Sequence, residues 1–130
     1  MKKLLTLVFA LSLTVSAQAQ VRIEITGGAE AALPIAVVPF ETVDVEPGLD
    51  VTRIIRANLY RSGLFDPLPA ENFLSNPARF EDVRFRNWRA LGADTLVVGS
   101  MEPLPEGNYR VRYELIDVFA GERLAGQRFR

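Results

Sequence analysis

Apolar and polar residues alternate one by one along a short segment near the beginning of the chain. Val21, Ile23 and Ile25 are apolar, the residues between them are polar, and two glycines follow. Strict alternation with β-branched residues predicts a strand over residues 21–26, with one buried and one solvated face. Because it lies near the start of the chain, this strand is tethered at one end only and could detach without moving other elements.

Further strands are predicted along the rest of the chain. The run Ile35–Val38 is wholly apolar, which is typical of a strand buried on both faces. Residues 109–116 alternate between the two residue classes, which indicates a half-buried strand. The segments predicted as strands after residue 30 are Leu33–Phe40, a short proline-limited edge strand at Leu64–Pro69, Thr95–Gly99, Tyr109–Ile116 and Leu124–Arg130.

Helical spacing marks two other segments. Asp50 is predicted to cap a helix that runs to Ser62 and stops at Gly63, with apolar residues at positions 51, 54, 55 and 59 on the side facing the sheet. Asn87 is predicted to cap a shorter helix that Gly92 ends, with Trp88 as a core residue. The connections are predicted to be loops at 41–48 and 102–108, and a short helical turn plus loop at 70–84.

The first nineteen residues have the three parts of a secretory signal. Lys2 and Lys3 supply the positive start, an apolar run follows to Val15, and Ala17 and Ala19 match the small-residue preference of signal peptidase. The run is shorter than the roughly 20 residues that a permanent membrane anchor needs. We therefore predict a signal peptide over residues 1–19, cleavage after Ala19, a domain over residues 20–130, and no stable membrane insertion of the product.

Composition limits the chemistry that this chain can perform. Removing the leader leaves 130 − 19 = 111 residues with 13 basic and 16 acidic side chains, a net charge of −3, which gives no basic footprint for nucleic acid. The chain has no cysteine or histidine, and its only lysines lie in the leader. This excludes thiol, Ser-His and Schiff-base chemistry and the usual zinc sites, and a lipoprotein anchor lacks its cysteine.

Carboxylates are the remaining candidates for catalysis or metal binding. An acidic loop at Glu41, Asp44 and Glu46 lacks the spacing of a calcium loop, so we interpret it as solvated surface. A carboxylate pair acting on envelope glycans is an open alternative that rests only on the number of acidic residues. No motif indicates a nucleotide, metal or haem, so we predict no catalytic residues and no cofactor, and binding is the favoured class of function.

Several segments, taken in their order along the chain, carry a resemblance to a known family. Together they resemble the N-terminal domain of the TolB family, periplasmic components of the Tol-Pal system. The resemblance covers essentially the whole chain after the leader. The segments that carry it are Val21–Gly28, Pro34–Phe40, Asn58–Leu68, Asn87–Asp94, Val97–Gly99 and Tyr109–Val111.

The resemblance implies a fold and a function. The expected fold is a single α/β domain, a mixed sheet of about five to six strands with two main helices packed on it. The expected function is that of a non-catalytic periplasmic adaptor that supports outer-membrane integrity and constriction at cell division. Its expected partner is the C-terminal domain of TolA, bound by the segment that follows signal cleavage, namely Gln20, Val21, Arg22, Ile23, Glu24, Ile25 and Thr26.

The chain also departs from the family pattern. The β-propeller that carries the Pal contacts of the family is missing, which puts Pal binding in doubt. The last predicted strand runs to Arg130 without a polar tail, which favours a piece of a longer gene product over the alternative, a stand-alone domain with only the TolA-facing half of the function. A structural module that assembles with other envelope proteins through a sheet edge, without the N-terminal strand, is a further alternative.

Overall fold

The computed structural model describes residues 31–45 and 49–130. Three sequence predictions lie outside the described residues: the leader, its cleavage site at Ala17 and Ala19, and the strand at residues 21–26. Within the described residues, no helix is long and apolar enough to cross a membrane.

A six-stranded mixed sheet forms the centre of the described chain, with one helix packed on each of its faces. Its order is β3-β1-β4-β5-β6, and β2 pairs with β4 beyond the end of β1. The β1, β2, β3 and β4 strands are parallel where they pair, and β4, β5 and β6 pair in antiparallel fashion. The predicted α/β fold is therefore confirmed. The strands are β1 (Leu33–Val37), β2 (Glu41–Thr42), β3 (Phe65–Pro67), β4 (Thr95–Pro103), β5 (Tyr109–Asp117) and β6 (Glu122–Phe129).

The wholly apolar run in β1 is buried on both faces, as predicted. Ile35, Ala36 and Val37 are at most 1% exposed, because β3 and β4 flank this strand and a helix layer covers each face. Alternate residues of β1 point to opposite faces of the sheet. Ile35 and Val37 belong to the core on one face, and Ala36 and Val38 belong to the core on the other.

The predicted loop over 41–48 is wrong at its beginning, because Glu41 and Thr42 form β2. The chain leaves the edge of β4 after the Val38 amide donates to the Val97 carbonyl. Since β4 continues for several more residues, its backbone groups on that edge need new partners. Residues 41 and 42 supply them by pairing with Ser100 and Met101.

Helix α1 (Val51–Arg61) forms as predicted. The Asp50 carboxylate accepts a hydrogen bond from the Arg53 amide at 3.0 Å, and Gly63 follows the helix end with a φ of 72°. Val51, Ile55 and Leu59 pack on the sheet, on what we call the α1 face. Ile54, predicted for the same side, is 50% exposed and lies at the margin of this contact.

Helix α2 (Phe85–Ala90) begins earlier than predicted. Asn87 is not its cap: the residue before the helix is Arg84, which makes no capping bond through its side chain, and the Asn87 carbonyl accepts from the Leu91 amide. The helix begins early because Phe85 packs on the opposite sheet face, which we call the α2 face. Trp88 is 1% exposed, so its predicted core role is confirmed, and Gly92 has a φ of 78° after the helix end.

The segment between β3 and α2 closes the α2 face. It contains two 3-10 turns, at Ala70–Asn72 and Phe80–Asp82, where one helical turn was predicted. Phe73 packs edge-on against Trp88 with ring centres 5.0 Å apart, and Phe80 packs against the same core.

The hairpin between β4 and β5 is tighter than predicted. The ladder extends to the Pro103 and Tyr109 pair, so residues 102 and 103, assigned to the connection, belong to the strand. An ion pair of 2.7 Å between Arg110 and Glu102 joins the two strands at this end.

Candidate functional site

The predicted recognition segment, residues 20–26, lies outside the described residues, but the structure shows where the chain that follows it joins the sheet. The Leu33 amide donates to the Leu64 carbonyl at 2.9 Å, and the Pro34 carbonyl accepts from the Asp94 amide at 3.1 Å. The 33 − 26 = 7 residue steps from Thr26 to Leu33 span at most about 25 Å.

The two outermost strands of the described sheet, β3 and β6, have free edges of different lengths. On one side, β3 is three residues long and ends in a proline, so it offers little backbone for pairing. On the other, β6 is eight residues long, and in the described chain it pairs with β5 alone. All eight of its residues are exposed. A register shift between Leu115 and Ile116 marks a bulge near the start of β6. The rest of the β6 edge is regular strand that another extended segment could join.

An apolar groove lies on the α1 face beside the helix. Helix α1 contacts β1 and β3, so the part of the sheet formed by β5 and β6 lies beyond its cover. The groove has a volume of about 480 Å³. Its lining is formed by Ile35, Ile55, Leu59, Phe65, Thr95, Val97, Tyr113, Leu115 and Leu124.

Sequence reasoning missed this groove, although the signal was present. Tyr113 and Leu115 belong to a clear alternating pattern, and only one predicted helix was long enough to cover several strands. One helix is about 10 Å wide and strands lie about 4.8 Å apart, so it covers two or three strands of the sheet. As a result Leu124 is 57% exposed, and Phe129 is 52% exposed while stacking on Tyr113.

Charged side chains on the α2 face hold the segment before α2 against the sheet. Glu114 accepts a hydrogen bond from the Phe80 amide at 2.6 Å and forms an ion pair with Arg123 at 2.9 Å. Arg123 also reaches Glu81 at 3.3 Å, and its guanidinium lies 5.1 Å from the centre of the Phe80 ring. Through these contacts, the carboxylates of Glu81 and Glu114 hold the segment before α2 against the sheet.

The described residues contain no group of three or more acidic side chains placed to hold a metal ion. Of the acidic loop considered in the sequence, Glu41 belongs to β2 and Asp44 has a φ of 50°. Glu46 lies outside the described residues.

A family model, a relative and a solved structure all match this chain. A family model described as the TolB amino-terminal domain matches residues 21–124. The Tol-Pal system protein TolB of Nitrosococcus oceani is 47% identical over 107 residues, which cover 82% of this chain and 25% of that protein. The TolB crystal structure from Acinetobacter baumannii superposes with a TM-score of 0.61 at 28% identity, covering 76% of this chain and 23% of that one.

A third match shows how widely the architecture occurs. The C-terminal domain of LpoB from Salmonella enterica superposes with a TM-score of 0.58 at 16% identity, covering 76% of this chain and 82% of that one. At this identity the likeness concerns the fold alone.

The fold and the comparisons together define the class of this protein, an α/β domain with a mixed sheet of the kind found in Tol-Pal proteins. Within that class, the chain belongs to the TolB amino-terminal domain family. It spans about a quarter of the length of the curated relatives that it matches.

Proposed function

We propose that this chain is a non-catalytic periplasmic adaptor of the Tol-Pal system, and that it binds the C-terminal domain of TolA through residues Gln20–Thr26. The proposal includes export with cleavage after Ala19, and support of outer-membrane integrity and of constriction at cell division. The observation that carries it is the alternating segment 21–26 in a chain of the TolB amino-terminal domain family.

The chemistry of the segment suits strand addition to a partner sheet. Val21, Ile23 and Ile25 would lie on one face of an extended strand, spaced to fill pockets of the partner. Backbone hydrogen bonds along the strand would supply affinity that is independent of side chains, and the apolar face would supply specificity.

The described fold agrees with such a role. Its six strands and both core clusters are formed by residues 33–129, so binding through residues 20–26 would remove none of the described strands or core side chains. β1 is also flanked by strands on both sides, so the tether from Thr26 enters at an interior strand of the sheet.

Pal is not included among the proposed partners. The family resemblance assigns Pal contacts to a β-propeller, and this 130-residue chain spans only about a quarter of its relatives. The C-terminal domain of TolA is therefore the one Tol-Pal partner that we propose for this chain.

Isothermal titration of the TolA C-terminal domain into the chain beginning at Gln20 tests the proposal. Replacing Ile23 and Ile25 together by Asp should abolish measurable binding, because two charges would enter apolar pockets. The matched control is Leu74→Asp, at a side chain that is 74% exposed in the described domain. This control should leave the affinity unchanged. Equal affinity of the double variant and the unchanged chain would contradict the proposal.

One observation favours a second candidate, a module that assembles through a sheet edge. The β6 edge is long and carries no described partner except β5. A chain beginning at Gly27 separates the two candidates, since it keeps the β6 edge and loses the proposed TolA segment. Retained TolA binding by that chain would favour the edge.

A further inference from the structure

Two arginines face each other on the α2 face of the sheet. Arg112 on β5 and Arg128 on β6 are direct partners in the register, so their side chains leave the same face of the sheet. Like charges directly opposite on neighbouring strands destabilise a sheet. A pair of this kind raises the question of which anion balances it.

Two of the carboxylates on this face are already engaged, and the third, Glu41, lines a depression with Arg112 without forming an ion pair in the described chain. Glu114, two residues along β5, binds Arg123 and the Phe80 amide, and Glu102 binds Arg110. Within the described part of the chain, neither Arg112 nor Arg128 forms an ion pair.

The space between these arginines is open. Gly126 lies two residues before Arg128 on β6 and opposite Glu114. A Cβ added at Gly126 would meet no atom closer than 3.5 Å, so the backbone does not require glycine at this position. The missing side chain leaves a shallow depression of about 450 Å³. We call it the arginine cleft; its side chains come from Arg112, Glu114, Arg123 and Arg128, with Gly126 beneath them.

We propose that the arginine cleft receives carboxylate side chains from an extended acidic segment of a partner protein. Two guanidinium groups on neighbouring strands can hold one carboxylate through charge-assisted hydrogen bonds. An extended segment that pairs with the free edge of β6 would place every second side chain on the face that carries Arg128. Acidic residues at alternate positions would then lie beside Arg128, and the longer glutamate side chains would point across β6 toward the guanidinium of Arg112.

Local charge favours a protein segment over an anionic membrane surface. The cleft is bordered by the carboxylates of Glu81 and Glu114, which would repel the extended array of anionic headgroups on a membrane. A shallow depression beside a free strand edge fits one extended segment. This proposal is independent of the proposed TolA segment, because it concerns the opposite end of the chain.

Titration followed by amide NMR of the chain purified after export tests the proposal. The probe is a short peptide of alternating glutamate and threonine, and the matched control peptide has lysine in place of glutamate. Amide shifts should occur at residues 112 and 126–128 with the glutamate peptide only. Arg128→Glu should weaken the binding about tenfold or more, since one charge-assisted contact is replaced by repulsion.

Two more variants keep the test specific. Arg53→Glu makes the same change of charge at an exposed residue of α1, on the other face, and should alter the affinity by less than about twofold. Gly126→Val fills the cleft without changing charge and should weaken binding. Equal losses in Arg128→Glu and Arg53→Glu would overturn the proposal. Binding of phosphatidylglycerol vesicles, or of inorganic phosphate alone, without binding of the glutamate peptide would also overturn it.

Discussion

At the scale of single residues, the missing side chain of Gly99 makes room for Phe40 in the core of the α1 face. Phe40 lies directly over Gly99 of β4. A Cβ at position 99 would be 2.5 Å from the Phe40 ring and would also overlap the Arg112 carbonyl oxygen. Phe40 itself is 6% exposed, so it has little room to move away. The backbone φ of Gly99 does not lie in the left-handed region, so its conformation does not require glycine. Glycine is required because Phe40 and the Arg112 carbonyl approach this position closely.

Gly99→Ala is therefore expected to lower the free energy of unfolding by about 1–3 kcal/mol, the usual cost of overpacking a core. Urea denaturation measures this change. Gly126→Ala is the matched control, because an added Cβ there makes only ordinary contacts. Its free energy of unfolding should change by less than about 0.5 kcal/mol. Equal stability of the two variants would show that Phe40 does not depend on Gly99.

Glu114 gives a second prediction at this scale. Its carboxylate is 15% exposed and accepts the Phe80 amide as well as pairing with Arg123. Glu114→Ala leaves this amide without its acceptor, which should cost about 1–3 kcal/mol. Hydrogen exchange should show faster exchange at Phe80 in this variant, while the Val97 and Val98 amides in β4 remain protected. Unchanged exchange at Phe80 would contradict the role given to Glu114.

At the scale of elements, the end of a helix or strand could be predicted where it depends on local residues. Asp50, Gly63 and Gly92 act at helix ends as their residue types indicate, and Trp88 lies in the core. The beginning of α2 could not be predicted from Asn87, because the contact of Phe85 with the sheet decides it. β2 was missed for the same reason: it forms because β4 extends beyond β1.

The cap of α1 provides a test at this scale. Asp50→Ala removes the acceptor for the Arg53 amide and a favourable charge at the helix N-terminus, which should cost about 1 kcal/mol. Asp66→Ala removes the same charge from an exposed position of β3 and should cost clearly less. Thermal unfolding of the two variants measures the difference. If both variants lost the same stability, the cap would not be the cause.

At the scale of the whole molecule, the α/β class, the central buried strand and the edge position of β3 could be predicted from the sequence. The alternating pattern of β5 gave a signal for the apolar groove, but the arginine cleft could not be predicted, because it depends on side chains that strand register brings together. Arg112 and Arg128 are 128 − 112 = 16 positions apart in the sequence. Only the register of β5 and β6 brings them opposite each other.

The described core and the proposed recognition segment consist of different residues of the chain. The described core is formed on both faces of one sheet by residues that follow position 33, and the proposed TolA segment ends at residue 26. The only tryptophan, Trp88, is buried in this core, so its fluorescence reports whether the domain is folded in any variant.

The most direct test of the central claim compares two chains, one beginning at Gln20 and the other at Gly27, in titrations with the TolA C-terminal domain. Trp88 fluorescence and urea unfolding should show that both chains are folded. The account predicts binding by the chain that begins at Gln20 and none by the chain that begins at Gly27. Equal affinity of the two folded chains would contradict it.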